Sequence, residues 1–403
     1  MIRELESVFF AKILFFRNFF PDFYYFCAVK PTHNSIMLAK FSVKNYRGFP
    51  KEISWDLSKP SNYEFNPNAI KDGIVKNGII YGPNGSGKTN FGLAIFDMVN
   101  HLSQKWKKPD YYGNYVYAGN PESPVEFVYV LQFGTKTLNY SYSKNSYGDI
   151  LTESLSVNRK EVFQRDMVHV KFDKKSFPNI NEKAIANLNV HANNFSFVNF
   201  LLTSMPLPED HYLLQLQKFA NSMLWFRCLD VREYIGLEVN STNIDEYIIR
   251  NNLTKDFEVF LKETSGQVFV FDTPTPNDKR LFCVIDNNKV SFHSIASTGT
   301  DSLELLYYWL TKMDQAQFVF IDEFDAFYHF KLSFEVCRRL FKLDSQVFLS
   351  SHNTSLMTND LLRPDCNFLL NNNMIKPICD CTDKELRWGH SIEKLYRGGT
   401  FNL

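Results

Sequence analysis

Several things that define whole classes of protein are scarce in this chain. Cysteine is sparse and odd in number, seven residues scattered over 403. That is not how a disulfide framework is laid out, and a reducing cytoplasm is the simpler setting. Cys379 and Cys381, with His390 nearby, lack a second ligand pair at finger-like spacing, so ordinary thiols are favoured over a zinc site. Charge of one sign is not in excess: 44 Lys plus Arg balance 44 Asp plus Glu. No overall field therefore draws the chain to nucleic acid or an anionic membrane, and any such contact has to be local. A long apolar run is also missing. The aromatic crowd from Phe9 to Phe26 is interrupted by Arg17 and Asp22 before the roughly 20 residues a bilayer needs, and no small-residue cleavage site follows. Between residues 105 and 285 no heptads with charged flanks are sustained, which excludes a long coiled-coil arm.

What is present begins with an alternating segment, Met37 to Phe49, that reads as a strand and a natural protein start. Met37 is accordingly expected to be the initiator, with residues 1–36 a non-native or disordered extension. Downstream, Gly82-Pro83-Asn84-Gly85-Ser86-Gly87-Lys88-Thr89 matches G-x-x-x-x-G-K-[ST] at every fixed position. Its glycines let backbone N–H groups turn toward phosphates, Lys88 reaches the outer phosphates, and the Thr89 hydroxyl suits Mg²⁺. The flanks agree: Gly78 to Tyr81 is a short apolar strand, and Phe91, Leu93, Ile95, Phe96, Val99 and Leu102 form a helical stripe.

Three later segments carry complementary chemistry. Phe318 to Ile321 is an apolar strand ending in Asp322 and Glu323, where one acid can hold a metal and the other polarise a water. Acids facing a core are costly to bury unpaired, so this pair belongs at the mouth of a parallel sheet. A second strand, Ser345 to Leu349, runs into Ser350, Ser351 and His352, a histidine placed to sense phosphate or to bond its own loop. Ser297-Thr298-Gly299-Thr300 precedes a helical pattern of Leu303, Leu306, Tyr307 and Leu310, an anion-binding helix start or a plain N-cap.

Taken in order, Asn45-Tyr46-Arg47-Gly48-Phe49, the phosphate loop, the Ser-Thr-Gly-Thr turn, the Asp322-Glu323 strand with Asp325, Tyr328 and His329, and Ser350-Ser351-His352 resemble the ATP-binding-cassette class of ATPases. Within it they are similar to the AAA15/AAA21 branch related to overcoming-lysogenization-defect, RecF and Rad50-like proteins. The closing Glu393-Lys394-Leu395-Tyr396 is similar to the ending of AAA15 members. The resemblance implies an α/β ABC-type P-loop ATPase head with a mixed sheet core and a largely helical insertion. Its lobes would be 37–135, with Walker A, and 285–403, with signature, Walker B and switch histidine. Residues 136–284 would form the lid and partner region.

By the same resemblance, Gly82 through Lys88 hold the phosphates of ATP, Thr89 and Asp322 hold Mg²⁺, and Gln132 is a Q-loop metal contact. Glu323 activates water, His352 reads the γ-phosphate and Arg47 reaches nucleotide, though Arg47 also reads as a surface strand arginine and Gln132 as a solvent-facing strand residue. Ser297 and Gly299 would act on the ATP of a second copy in a head-to-tail pair. The departures matter as well. The signature lacks the transporter form, the coiled-coil arm of Rad50 is missing, and a Toprim nuclease is not expected in the 51 residues after His352. Such effectorless members resemble the ATPase half of PARIS-, Septu- and AbiL/RloA-type antiphage gene pairs. The expected function is thus an ATP-hydrolysing sensor or scaffold partnered by a separately encoded nuclease or toxin. The alternative is a RecF-like clamp on DNA.

The middle of the chain reads as a hairpin around Gly134-Thr135-Lys136, then helices over 182–262. Lys105 to Tyr112 mixes basic and aromatic residues, as a strand-binding stretch or a solvated loop would.

Overall fold

Short apolar runs bounded by turn residues become strands here, and their register carries the acids, hydroxyls and phosphate loop to one place. The computed structural model describes residues 36–103, 112–177, 180, 185, 195–228, 234–237, 243–275 and 277–403. Residues 36–403 form one compact unit. The predicted extension lies outside the described residues up to Ser35, and Ile36 already belongs to a strand. The basic-aromatic stretch from Lys105 to Tyr111 is likewise outside them.

In chain order the strands of the two main sheets are β1 (Ile36–Lys44), β2 (Ile53–Asp56), β3 (Asn77–Tyr81), β4 (Val125–Phe133), β5 (Lys136–Lys144), β6 (Ile150–Val157) and β7 (Lys160–Arg165). They continue as β8 (Val170–Phe172), β9 (Met223–Arg227), β10 (Tyr234–Gly236), β11 (Phe318–Asp322), β12 (Gln346–Ser351), β13 (Asn367–Asn371) and β14 (Met374–Pro377). The first sheet is antiparallel throughout, in the order β8-β7-β6-β5-β4-β1-β2. The second has the order β10-β9-β11-β12-β3-β13-β14. Its five central strands are parallel and only its two edge pairs are antiparallel. Parallel strands buried on both faces read as continuous apolar runs, and β3, β11 and β12 are buried at every position.

Trp55 of β2 joins the sheets. Its ring lies 4.5 Å from Phe348 of β12, 5.3 Å from Phe368 of β13 and 5.5 Å from Phe91, which follows the phosphate loop. A polar pin adds direction to this apolar contact. The register of β1 shifts between Leu38 and Lys40, and buried Gln346 of β12 satisfies the backbone there, accepting from Leu38 N and donating to Leu38 O, both at 2.9 Å.

Residues 136–284 hold the expected helices, α3 (Phe197–Ser204), α4 (Tyr212–Asn221), α5 (Ile244–Arg250) and α6 (Thr254–Ser265), but strands as well. β5 to β8 extend the first sheet as a meander, and β9 lies inside the parallel sheet beside β11. The helical reading of 182–262 therefore needs correction at Met223–Arg227. A five-residue apolar run has no periodicity that separates a buried strand from a helix turn; its parallel pairing with β11 decides the matter. Among the described residues, no helix is long and apolar enough to cross a membrane.

Candidate active site

The parallel sheet brings the carboxyl ends of its strands together, the usual place for a ligand in open α/β sheets. Ser351 of β12 is level with Tyr81 of β3, and Arg227 of β9 is level with Asp322 of β11. After Tyr81 the chain turns through Gly82–Gly87 into α1 (Lys88–Ile95), whose first N–H groups are free for an anion. Gly85 and Gly87 have φ of 76° and 96°, backbone that side chains other than glycine seldom adopt. At Gly87 the crowding is explicit, since a Cβ would sit 2.9 Å from the Phe49 ring. This contact explains Phe49 in the opening motif: the turn after β1 supports the phosphate loop from behind.

A cleft of about 340 Å³ is lined by Asn84, Gly85, Gly87, Lys88, Thr89, Asn90, Glu323 and His352. Lys88 is buried, and its ammonium donates to the carbonyls of Gly82 at 2.8 Å and Pro83 at 3.2 Å. Burial holds its pKa below the ordinary lysine value, against the pull of Asp322 and Glu323. Thr89 Oγ1 donates to Asp322 Oδ2 at 2.8 Å, and Ser350 Oγ donates to Asp322 Oδ1 at 2.7 Å. Arg227 Nε stands 3.3 Å from the same Oδ2. Burial raises the Asp322 pKa, with Ser350, Thr89 and Arg227 acting in the opposite direction. Glu323 follows in left-handed backbone, φ 48°, with its N–H on Ser350 Oγ at 2.8 Å. His352 has its pKa lowered by burial and then by the charge of Lys88, so neutral imidazole is the favoured form.

These residues suit a nucleotide and a divalent cation. Among the described residues Ser86 Oγ is buried without a hydrogen-bond partner and the Lys88 ammonium bonds carbonyls, and a hydroxyl with a carboxylate is the hard oxygen pair that Mg²⁺ takes. Lys88 and the loop N–H groups would hold phosphate, Thr89 and Asp322 the metal.

Not every expected residue converges there. Ser297 and Gly299 open α7 (Thr298–Leu310), where Ser297 Oγ caps the helix by accepting from Thr300 N at 3.2 Å; neither lines the cleft. Arg47 lies in the turn after β1 in left-handed backbone, φ 47°, its guanidinium 5.4 Å from the centre of the Tyr46 ring, and it too is outside the lining. Gln132 does not reach the cleft. Its amide donates to Gly134 O at 2.5 Å and accepts from Thr137 Oγ1 at 2.9 Å, within the tight turn between β4 and β5. Sequence reading missed Arg227 and Asn90, and gave Ser350 no role of its own beside His352. Asn90 adjoins the motif and could have been included; Arg227 carried no signal, since its strand was read as helix.

The chain from 79 to 358 matches the family described as "AAA domain, putative AbiEii toxin, Type IV TA system". The chain belongs to this AAA21 family. No protein of curated function matches the sequence. Among solved structures it is similar to the SMC head domain from Thermotoga maritima, at 15% identity over 84% of this chain and 97% of that one, TM-score 0.40. It is similar also to the Smc head domain with an extended coiled coil bound to the C-terminal domain of ScpA from Pyrococcus furiosus, at 14% identity over 85% and 95%, TM-score 0.41. RecF with ATP, a recombination mediator, gives 14% identity over 85% and 99%, TM-score 0.37.

In this AAA21 protein a second charged cluster flanks the α7 turn. His293 is held between Asp245 Oδ1 and Asp301 Oδ1, each 3.0 Å from a ring nitrogen, which ties α5 to the start of α7. Hydrogen bonding to Asp245 is the main cause that raises its pKa to about 9, over a smaller opposing effect of burial. A raised histidine pKa contributes stability that is fully present below the unfolded value near ~6.5 and is lost as pH rises through the folded value. Wild type is therefore expected to melt above His293→Asn at pH 6, with the gap closing as the pH passes about 9. Thermal scans of both proteins across that range test it; a gap that persists unchanged at pH 10 would refute it.

Proposed function

We propose that this chain binds ATP with Mg²⁺ in the Lys88 cleft and hydrolyses it between two copies packed head to tail. It thereby serves as the sensor or scaffold of a bacterial antiviral system with a separately encoded effector. The observation that carries the reading is the Thr89–Asp322 hydrogen bond, which links phosphate loop to acidic strand with Lys88, Glu323 and His352 lining the same cleft. Mg²⁺, when bound, neutralises charge on the phosphates. Glu323, in the cleft lining, would take a proton from the attacking water, and His352 would hydrogen-bond the outermost phosphate.

Two placements support the pairing of heads. Ser297 and Thr298 are exposed, and neither belongs to the lining of the cleft of their own chain, as expected of residues that complete the site of a partner. Tyr328, downstream of Asp325, exchanges hydrogen bonds with Ser302 of α7, both at 3.2 Å, so the acidic loop and the α7 turn are braced as one unit. A two-component setting is supported by the toxin–antitoxin system named in the family's description.

Lys88→Ala is expected to weaken ATP binding about 10- to 100-fold, the worth of a charge-assisted contact to phosphate. Ser297→Arg should keep ATP binding and lose turnover. Mixed in equal amounts, the two inactive variants should recover about a quarter of the wild-type activity, because half of the random pairs are mixed and each holds one intact composite site. Nucleotide titration and a phosphate-release assay test both expectations; absence of any recovery on mixing counts against completion by a partner.

A further inference from the structure

Glu323 adopts left-handed backbone although it is not glycine, and such strain persists only where the surroundings over-determine it. Besides the Ala326 N–H on its own carbonyl at 3.2 Å, what holds it is one residue of the neighbouring strand. Ser350, fully buried on β12, accepts the Glu323 N–H at 2.8 Å and donates its single hydroxyl proton to Asp322 Oδ1 at 2.7 Å. Its carbonyl also accepts from Phe324 N at 3.3 Å. Three consecutive residues of the acidic segment thus hang on Ser350. Because the hydroxyl has one proton and the carboxylate can only accept, the direction of the pair is fixed: proton toward Asp322, lone pair toward the Glu323 amide.

We infer that Ser350 is the positioning residue of this site, a hydroxyl that sets the direction of both carboxylates at once, an inference that rests on the hydrolytic reading above. Donation to Oδ1 leaves Oδ2 turned to Thr89, the edge where the metal would be held. Anchoring the Glu323 amide keeps that residue in the conformation from which its side chain lines the cleft. Ser350 is not among the residues that line the cleft and acts through its neighbours.

The test compares wild type, Ser350→Ala and Ser350→Thr in full-length protein. Mn²⁺ binding is read by electron paramagnetic resonance with a non-hydrolysable ATP analogue, metal-free analogue binding by fluorescence, and steady-state hydrolysis with Mg²⁺-ATP. For Ser350→Ala we expect metal-free affinity near wild type, a melting temperature lowered by only a few degrees for the lost buried hydrogen bonds, Mn²⁺ affinity about tenfold weaker, and kcat about a hundredfold lower with KM little changed. Ser350→Thr, which restores the hydroxyl, should recover most of both losses. Unchanged Mn²⁺ affinity and kcat in Ser350→Ala would overturn the inference. So would a parallel drop in melting temperature and metal-free affinity without recovery in Ser350→Thr, the mark of a merely structural residue. A wild-type protein that hydrolyses nothing yet loses Mn²⁺ affinity on Ser350→Ala would sink the hydrolytic reading and leave the positioning role standing.

Discussion

Glu323→Gln is expected to bind ATP within about twofold of wild type and to hydrolyse it about 100- to 10,000-fold more slowly, the usual worth of a positioned general base. Glutamine has the shape of glutamate and keeps the backbone bond from residue 323 to Ser350 Oγ, so the local fold survives. What disappears is the capacity to accept a proton. The phosphate loop is untouched: Lys88 retains its place beside Gly82 and Pro83, and Thr89 its bond to Asp322. The variant should therefore accumulate in the ATP-bound pair. Purified from its native host with Mg²⁺-ATP and examined by native mass spectrometry, it should carry a stoichiometric protein partner; a pair carrying DNA and no protein would favour the clamp reading. Phosphate release at the wild-type rate would remove Glu323 from the role of base.

Lys144→Met is expected to destabilise the protein by about 3–5 kcal/mol, the cost of breaking a buried ion pair from one side. Asp97 opens α2 (Asp97–Ser103), directly after the helix of the phosphate loop, and is fully buried. Its carboxylate accepts from Lys144 Nζ at 2.6 Å and from the hydroxyls of Tyr142 at 2.9 Å and Tyr115 at 2.8 Å. Burial works to raise its pKa, yet the charge and hydrogen bond of Lys144, aided by Tyr115, hold it below the ordinary carboxylate range. Removing the ammonium leaves a buried negative charge without that partner. Urea titrations of Lys144→Met measure the cost. The double variant Asp97→Leu with Lys144→Met should recover most of it, because both charges then go together; a loss below about 1 kcal/mol in the single variant would show that water or neighbouring groups take over.

The same network continues across the first sheet. Buried His101 of α2 stacks on Tyr142 at 3.8 Å and shares a 2.7 Å hydrogen bond with Tyr140, whose hydroxyl donates to Glu153 Oε1 at 2.8 Å. Glu153 in turn accepts from Phe197 N at the start of α3 at 2.6 Å. A continuous polar path therefore runs from the helices after the phosphate loop to the helices of the middle region. None of it was legible beforehand, since Asp97, His101, Lys144 and Glu153 are ordinary surface-type residues until the meander of β5 and β6 folds over them.

What the amino-acid sequence determined by itself is the chemistry that lies in contiguous residues. Gly82 to Thr89 specify a phosphate loop because the pattern is carried by adjacent backbone groups and two side chains at fixed spacing. Phe318 to Glu323 announce an acidic strand end because a buried apolar run cannot carry two unpaired acids inside it. The hairpin between β4 and β5 and the helix start at Ser297 are local in the same way. Only the tertiary structure decided which of these segments meet. Parallel register sets Arg227 level with Asp322, and the adjoining strand β12 places Ser350 beneath both acids. The turn between β4 and β5 captures Gln132, and α7 carries Ser297 away from its own cleft. Strand neighbours come from positions dozens to hundreds of residues apart, and nothing in a one-dimensional pattern records which edge of a sheet a short apolar run will join.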